Sequence, residues 1–194
     1  IELNPDNFNL SIDLSALYIR QEKYNKAERY VKRGLKLDPD NPLANYNLGK
    51  IYMFKSNFEK ARQHLEVACS RNNKYALWFV DLGVAYYRTG DFKKSVNAYM
   101  QAVRMDPGIY MAYTNMGSAY LQLKEYDNAE KAFIRAIQLN PKEYNAYNNL
   151  ASLYIHAGRL NDAANVINNL EKQGGQLKSS LRRLLNRAMK KAQR

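Results

Sequence analysis

The residues that could catalyse a reaction or hold a metal are few and far apart in this sequence. Neither His64 nor His156 has a histidine or cysteine four positions away, the spacing of a zinc site on a helix. Cys69 is the single cysteine, which excludes an internal disulfide, and we interpret it as a half-buried packing residue. The sequence also lacks a glycine-rich phosphate loop and a G-x-S-x-G elbow. It therefore predicts a chain that is not an enzyme and that holds no metal or other cofactor.

A 34-residue period organises almost the whole chain. Tyrosine recurs at this spacing, at Tyr18, Tyr52, Tyr86, Tyr120 and Tyr154. Three positions before each tyrosine stands a small residue: Ser15, Gly49, Gly83, Gly117 and Ala151. A fixed period of this length is typical of a solenoid built from one stacked supersecondary unit. Such proteins act through extended surfaces, so the pattern favours a binding function.

Residues 76–109 show one unit most clearly. Phe79, Leu82 and Tyr86 fall at helical spacing and predict a first helix. Gly90 supplies a turn, after which a second apolar stripe of helical period begins. Pro107 cannot continue a helix and ends the unit. Each unit is therefore predicted to be a helix–turn–helix, and the small residues let its two helices approach closely.

This pattern resembles the tetratricopeptide repeat (TPR) family. The family places Leu-Gly at positions seven and eight, Tyr at eleven, Ala at twenty and Pro at thirty-two. Five repeats fit this register, at 8–41, 42–75, 76–109, 110–143 and 144–177. The departures lie mostly in the terminal repeats, with Ser11 and Ser15 in the first and Leu170 in the fifth. The resemblance implies an all-α fold, a right-handed α-solenoid of stacked helix–turn–helix units.

The two ends of the chain differ from the repeats. Residues 1–5 match the end of a repeat, like residues 137–141, so we interpret 1–7 as the end of a truncated preceding repeat in a longer protein. Residues 178–194 hold seven basic residues and no acidic residue, out of a net charge of +12 for the chain. Their helical apolar stripe predicts a capping helix over the last repeat. The alternative is a basic arm for an anionic membrane or nucleic acid.

The resemblance further implies that the first helices of the repeats line a concave groove. Position six of the repeat, one of those facing a ligand in the family, is short and polar throughout: Asp13, Asn47, Asp81, Asn115 and Asn149. A carboxamide both donates and accepts hydrogen bonds, so an asparagine column can pair with a peptide backbone. The alternative is that these side chains bond only within their own repeat.

We therefore predict that the groove binds a peptide, with an apolar centre and polar residues beside it. The predicted peptide-binding residues are Tyr46, Asn47, Lys50, Phe54, Asp81, Tyr87, Arg88, Asn115 and Asn149. Of the cations, Arg20, Lys50 and Arg88 are expected to select a partner with an acidic flank. The chain is thus predicted to be a non-catalytic scaffold for an extended peptide or an amphipathic helix of a partner protein.

Three alternatives to this function remain open from the sequence. The chain could be a regulatory, substrate-presenting region of a larger enzyme, because some glycosyltransferases resemble this arrangement, with such repeats in front. It could be a membrane- or nucleic-acid-associated module that uses residues 178–194. Self-association is the third. The sequence leaves the compartment open, with cytoplasmic as the default.

Overall fold

A computed structural model of the chain describes residues 8–192 and shows helices and no strands in that range. The helices are α1 Phe8–Arg20, α2 Tyr24–Leu37, α3 Pro42–Phe54, α4 Phe58–Arg71, α5 Ala76–Arg88, α6 Phe92–Met105, α7 Tyr110–Gln122, α8 Tyr126–Leu139, α9 Tyr144–His156, α10 Leu160–Lys172 and α11 Ser179–Ala192. The all-α prediction is confirmed. The predicted end of a truncated repeat, residues 1–7, lies outside the described residues.

The chain forms two compact units, Ile1–Met105 and Asp106–Arg194. In the first unit, α1 packs on α2, α3 on α4 and α5 on α6, and the successive pairs join through α2 with α3 and α4 with α5. In the second unit, the pairs are α7 with α8 and α9 with α10, joined through α8 and α9, and α11 packs on α9 and α10. Each pair falls within one predicted repeat, whose boundaries stay a prediction.

The turn between the two helices of every pair contains one residue in the left-handed region. These residues are Glu22, Ser56, Gly90, Lys124 and Gly158, with φ between 57° and 84°. At each turn the next backbone N–H donates to the carbonyl of the recurring tyrosine, as from Asp91 to Tyr86 at 2.9 Å. This bond is the Schellman closure of a helix C-terminus. Three of the five residues have a side chain and hold a conformation that glycine adopts more easily.

The recurring small residue allows an aromatic ring of the second helix to touch the backbone of the first. A Cβ atom at Gly83 would lie 2.5 Å from Cε1 of Tyr99, and one at Gly117 would lie 2.6 Å from Cε1 of Phe133. Tyr99 and Phe133 are fully buried in consequence. Because no real side chain tolerates such distances, a glycine followed sixteen positions later by a ring sets the crossing of α5 with α6 and of α7 with α8. The other pairs have an aliphatic residue in place of the ring, at Val31, Leu65 and Ile167.

The recurring tyrosines also connect one repeat to the one before it. The hydroxyl of Tyr52 donates to Glu28 at 3.2 Å, and the hydroxyl of Tyr154 donates to Glu130 at 2.7 Å. Lys55 and Arg159 form ion pairs with the same two carboxylates. Each of these glutamates therefore joins a tyrosine and a cation from the following repeat, a contact that the tyrosine spacing alone did not predict.

Acidification should weaken the first unit through Glu28. Partial burial opposes ionisation, but the hydrogen bonds from Lys32 and Lys55 outweigh it and lower the pKa of Glu28 to about 2. The folded-state pKa lies below the ordinary value of 4.5, so this stabilisation is complete above pH 4.5 and is lost as the pH falls toward 2. Since the groups are partly solvated, we expect a loss of about 1–2 kcal/mol. Urea unfolding at pH 7 and pH 3 measures this loss as a difference in the free energy of unfolding. The difference should be smaller in Glu28→Gln than in the parent chain. An equal difference in the two proteins would contradict the assignment to Glu28.

Candidate functional site

Three polar residues predicted for the site meet between α3 and α5. The hydroxyl of Tyr46 donates to Oδ2 of Asp81 at 2.8 Å, and Nζ of Lys50 lies 3.0 Å from the same oxygen. Burial, followed by the charge of Asp81, raises the pKa of Tyr46. The phenol therefore stays protonated and acts as a hydrogen-bond donor. Oδ1 of Asp81 makes no hydrogen bond within residues 8–192, so it can accept one from a ligand.

A stack of three aromatic rings supports this cluster. Trp78 is buried between the half-buried Tyr46 and the exposed Tyr75, with ring centroids 4.6 Å and 4.7 Å away. The nearly parallel Tyr46 and Trp78 rings, 12° apart, fix the direction of the Tyr46 hydroxyl toward Asp81. Trp78 and Tyr75 lie outside the predicted set. Trp78 was missed because its position in the repeat is not one that faces the groove in the family pattern.

Apolar side chains surround the polar cluster and are open to solvent. Leu43, Phe54 and Leu77 are 47%, 52% and 54% exposed. Leu43, Lys50 and Phe54 share one face of α3 because they are spaced by seven and four residues, and Leu77 and Asp81 are four apart on α5. We call these residues, with Tyr46, the α3–α5 face. Exposed aliphatic and aromatic groups on two adjacent helices are typical of a protein-binding surface.

Phe54 and two further predicted residues have partners within the first unit. The ring of Phe54 stacks on Tyr24 at 4.7 Å. Tyr87 is half-buried and meets the edge of Phe92 at 5.4 Å. The exposed guanidinium of Arg88 lies 3.9 Å above the ring of Phe58, a cation–π contact. Arg88 therefore covers an aromatic ring and keeps its charge in solvent.

The asparagine column makes hydrogen bonds between neighbouring first helices. Nδ2 of the buried Asn47 donates to Oγ of Ser15 at 3.2 Å, and Nδ2 of Asn149 donates to Oγ of Ser118 at 3.3 Å. Asn115 is half-buried, and its carboxamide makes no hydrogen bond within residues 8–192. The donors of Asn47 and Asn149 thus join a repeat to the preceding one. Peptide contact through the remaining carbonyl oxygens stays a prediction.

The clearest carboxamide pairing with an extended backbone involves Asn148, which the sequence did not single out. Its Oδ1 accepts from the backbone N–H of Lys178 at 2.9 Å, and its Nδ2 donates to the carbonyl of Gln176 at 3.5 Å. The same Nδ2 also donates to the carbonyl of Tyr144 in its own helix at 2.8 Å. The Tyr144 hydroxyl donates to the carbonyl of Gln173 at 2.7 Å. The bound backbone is therefore the chain's own segment between α10 and α11. Sequence reasoning missed it because only this repeat has an asparagine at that position.

The C-terminal helix packs its apolar side on the second unit. Leu181, Leu184, Leu185 and Ala188 contact the cores formed with α9 and α10. Arg182 pairs with Glu171 at 3.2 Å, whereas Arg183 and Arg187 are exposed without an acidic partner among the described residues. This packing is what a capping helix requires.

Cys69 and His64, which were examined above as possible catalytic or metal-binding residues, pack inside the first unit. Cys69 is buried, more deeply than the half-buried position predicted for it, and burial together with Asp81 raises the pKa of its thiol to about 12. His64 donates from Nδ1 to Asn45 at 2.9 Å if that nitrogen carries the proton. The described residues contain no group of three possible metal ligands. Within residues 8–192, no helix is long and apolar enough to cross a bilayer.

Family models described as tetratricopeptide repeat match residues 19–79, 79–109, 110–143 and 132–164. The chain belongs to the tetratricopeptide repeat family. No curated protein sequence matches it significantly. Together the four matches run from residue 19 to residue 164, so they include α3, α5 and the whole α3–α5 face.

Solved structures of TPR proteins share this fold. MamA has a TM-score of 0.80 at 24% identity, covering 86% of this chain and 92% of its own. YrrB, described as a TPR protein with an unusual peptide-binding site, has a TM-score of 0.81 at 19% identity, covering 98% and 95%. The type IV pilus biogenesis factor PilW has a TM-score of 0.78 at 24% identity, covering 96% and 87%. These likenesses show the fold.

Proposed function

We propose that this protein is a non-catalytic scaffold that binds a peptide or helical segment of a partner protein on the α3–α5 face. The proposal rests on three apolar side chains, Leu43, Phe54 and Leu77, which are each about half exposed around an ordered polar cluster. Burying them against a partner would remove apolar surface from water, the main source of affinity in such contacts. YrrB, which has the same fold, is described as having a peptide-binding site, and we propose peptide binding for this chain as well.

The polar cluster would orient the bound segment. Asp81 holds Lys50 and Tyr46 through Oδ2, so its Oδ1 is left to accept a backbone N–H or a cationic side chain of the partner. Because the stacked Trp78 keeps Tyr46 in place, the acceptor is ordered before a ligand arrives. The expected ligand therefore carries apolar side chains at helical or alternate spacing next to one hydrogen-bond donor.

The chemistry of the same residues fits binding better than catalysis. The Cys69 thiol is buried and has a pKa of about 12, so it is not an available nucleophile at neutral pH. The half-exposed groups of the α3–α5 face are aliphatic or aromatic. We therefore assign the face to recognition.

A peptide-display selection against the full chain, followed by fluorescence anisotropy, tests this function. Selected peptides should be rich in apolar residues and should bind with micromolar affinity. The variant Leu43→Ala/Phe54→Ala/Leu77→Ala should lower the affinity at least tenfold, since each truncation removes on the order of 1 kcal/mol of contact. Asp81→Asn should lower it less and mainly for peptides with a cationic side chain.

The matched control replaces exposed apolar residues of the same unit that lie away from this face, Leu17→Ala and Leu37→Ala. Both variants should keep the helical circular dichroism of the parent chain, because the altered side chains are about half exposed. Affinity that is unchanged in the triple variant, or reduced equally in the control, would refute the assignment of this face.

A further inference from the structure

The outer side of α2 carries a stripe of cations that the proposed function does not use. Lys26, Arg29, Arg33 and Lys36 are all exposed, and their spacings of three, four and three residues place them on one side of the helix. At 1.5 Å per residue the stripe is about 15 Å long. We call these four residues the α2 cationic face.

Within residues 8–192, hardly any negative charge neutralises this face. Glu28 is the only acidic residue of α2, and it forms ion pairs with Lys32 and Lys55. Arg29, Arg33 and Lys36 form no ion pair with any described residue. Lys26 lies 5.7 Å above the ring of Tyr18, which holds its ammonium group in place and leaves its charge uncompensated.

Exposure recurs at three of the four positions of this face, whereas the position of Arg33 holds the half-buried Val67 on α4. The residues 34 positions after Lys26, Arg29 and Lys36 are Lys60, Gln63 and Ser70, and all three are exposed on α4. The same positions of α6 hold the exposed Lys94, Asn97 and Arg104. The outer side of the second helices is therefore solvent-facing in each pair of the first unit.

Positive charge is concentrated on the second helices of the first unit. Together α2, α4 and α6 hold eleven basic and three acidic residues, a net charge of +8. The first helices α1, α3 and α5 hold three basic and two acidic residues, a net charge of +1. In the second unit, α8 is neutral and α10 has a net charge of −1. Among the helices of the repeats, the positive charge therefore lies on the second helices of the first unit, and α11 of the second unit carries five further basic residues.

An anionic bilayer fits this face better than a nucleic acid does. The exposed side chain next to the cations is Leu37, 55% accessible, which can enter the boundary between headgroups and acyl chains. The aromatic ring on this helix side, Tyr30, is half-buried and stacks on Tyr18 at 5.4 Å, so it is poorly placed to stack on bases. Clusters of four or more cations on an amphipathic helix are typical of binding to anionic lipid headgroups.

We propose that the α2 cationic face docks the protein peripherally on an anionic membrane surface. The helix lies along the bilayer plane, with Arg29, Arg33 and Lys36 at the lipid phosphates and carboxylates and Leu37 at the acyl boundary. The α3–α5 face does not take part. Each cation strengthens such binding roughly fivefold, so attachment is reversible and weakens as salt is added.

Co-sedimentation of the full chain with vesicles tests this inference. Binding to strongly anionic vesicles, made of phosphatidylcholine with about 30–40% phosphatidylserine, is compared with binding to vesicles of pure phosphatidylcholine. The test variant is Arg29→Glu/Arg33→Glu. The matched control is Lys131→Glu/Arg135→Glu on α8, at the same repeat positions and with the same change in charge. A second comparison is Arg183→Glu/Arg187→Glu on α11, again four residues apart and exposed.

The parent chain should bind the anionic vesicles and not the neutral ones, and the α2 variant should bind at least about twentyfold more weakly. The α8 control should change binding less than threefold. Equal losses in the α2 and α8 variants would overturn the inference, because they would reflect net charge alone. Loss only in the α11 variant would overturn it by placing attachment on α11. If the chain did not bind vesicles but bound duplex DNA or RNA in a way that depends on α2, the membrane proposal would be overturned and the ligand of this face would be a polynucleotide.

Discussion

Phe133→Ala is expected to lower the free energy of unfolding of the second unit by about 3–5 kcal/mol. Phe133 is completely buried, and its ring lies against the backbone of Gly117 where α7 crosses α8. Truncation removes the whole ring from the crossing. The hole cannot close, because the glycine has no side chain to move into it. The loss therefore combines the transfer free energy of the ring with the cost of a cavity.

Urea unfolding followed by far-ultraviolet circular dichroism measures this loss. Tyr126→Ala is the matched control, since Tyr126 is an aromatic residue of the same helix that is 53% exposed. It should cost less than about 1 kcal/mol. Hydrogen exchange should localise the weakening in Phe133→Ala to α7 and α8. Equal losses in the two variants would show that the ring at this crossing does not organise the repeat.

The helix pairs could be predicted from the sequence because their determinants are local and repeated. A tyrosine and a small residue three positions before it return every 34 residues, and the family resemblance places a turn after each tyrosine. The structure closes each of these turns on the tyrosine carbonyl. At the crossings of Gly83 and Gly117 it also places a ring against the glycine. A period fixes such contacts because every copy meets the same neighbours.

Contacts between different positions of adjacent repeats could not be predicted from the sequence. Asn47 donates to Ser15, and this bond exists only because the first repeat departs from the family glycine at that position. Asn148 binds the segment between α10 and α11, and only this repeat has an asparagine at that position. The partner of such a carboxamide depends on a residue that does not follow the period. The presence of an asparagine therefore predicts a hydrogen bond but does not predict its partner.

The charge pattern was also hidden by averaging. Outside the last 18 residues the chain has a net charge of only +5. The structure divides the first unit into first helices with +1 and second helices with +8. The sum over the chain hides this difference, because it averages the second helices of the first unit with nearly neutral first helices, with the neutral α8 and with α10, whose net charge is −1. The position of a charge on the fold matters more for partners than its total.

Deleting residues 178–194 is expected to destabilise the second unit by about 3 kcal/mol or more, which corresponds to a fall in Tm of about 10 °C or more. The deletion removes Leu181, Leu184 and Leu185 from their packing on the α9 and α10 side of the unit. It also removes the backbone N–H of Lys178 from the buried Oδ1 of Asn148. An unsatisfied buried acceptor adds to the cost of the uncovered apolar surface.

Differential scanning calorimetry measures this effect, and two point variants separate its causes. Leu185→Asp should reproduce most of the loss, because it places a charge in the contact between α11 and the core. Arg183→Gln/Arg187→Gln should leave the transition within about 2 °C, because both side chains are exposed and make no ion pair with the described residues. If the deletion left the transition unchanged, α11 would be an arm for a partner and its apolar packing would contribute little to stability. A loss in the deletion and in Leu185→Asp alone would establish α11 as the cap that the last helix pair needs, since a terminal repeat has no following repeat to cover its apolar side.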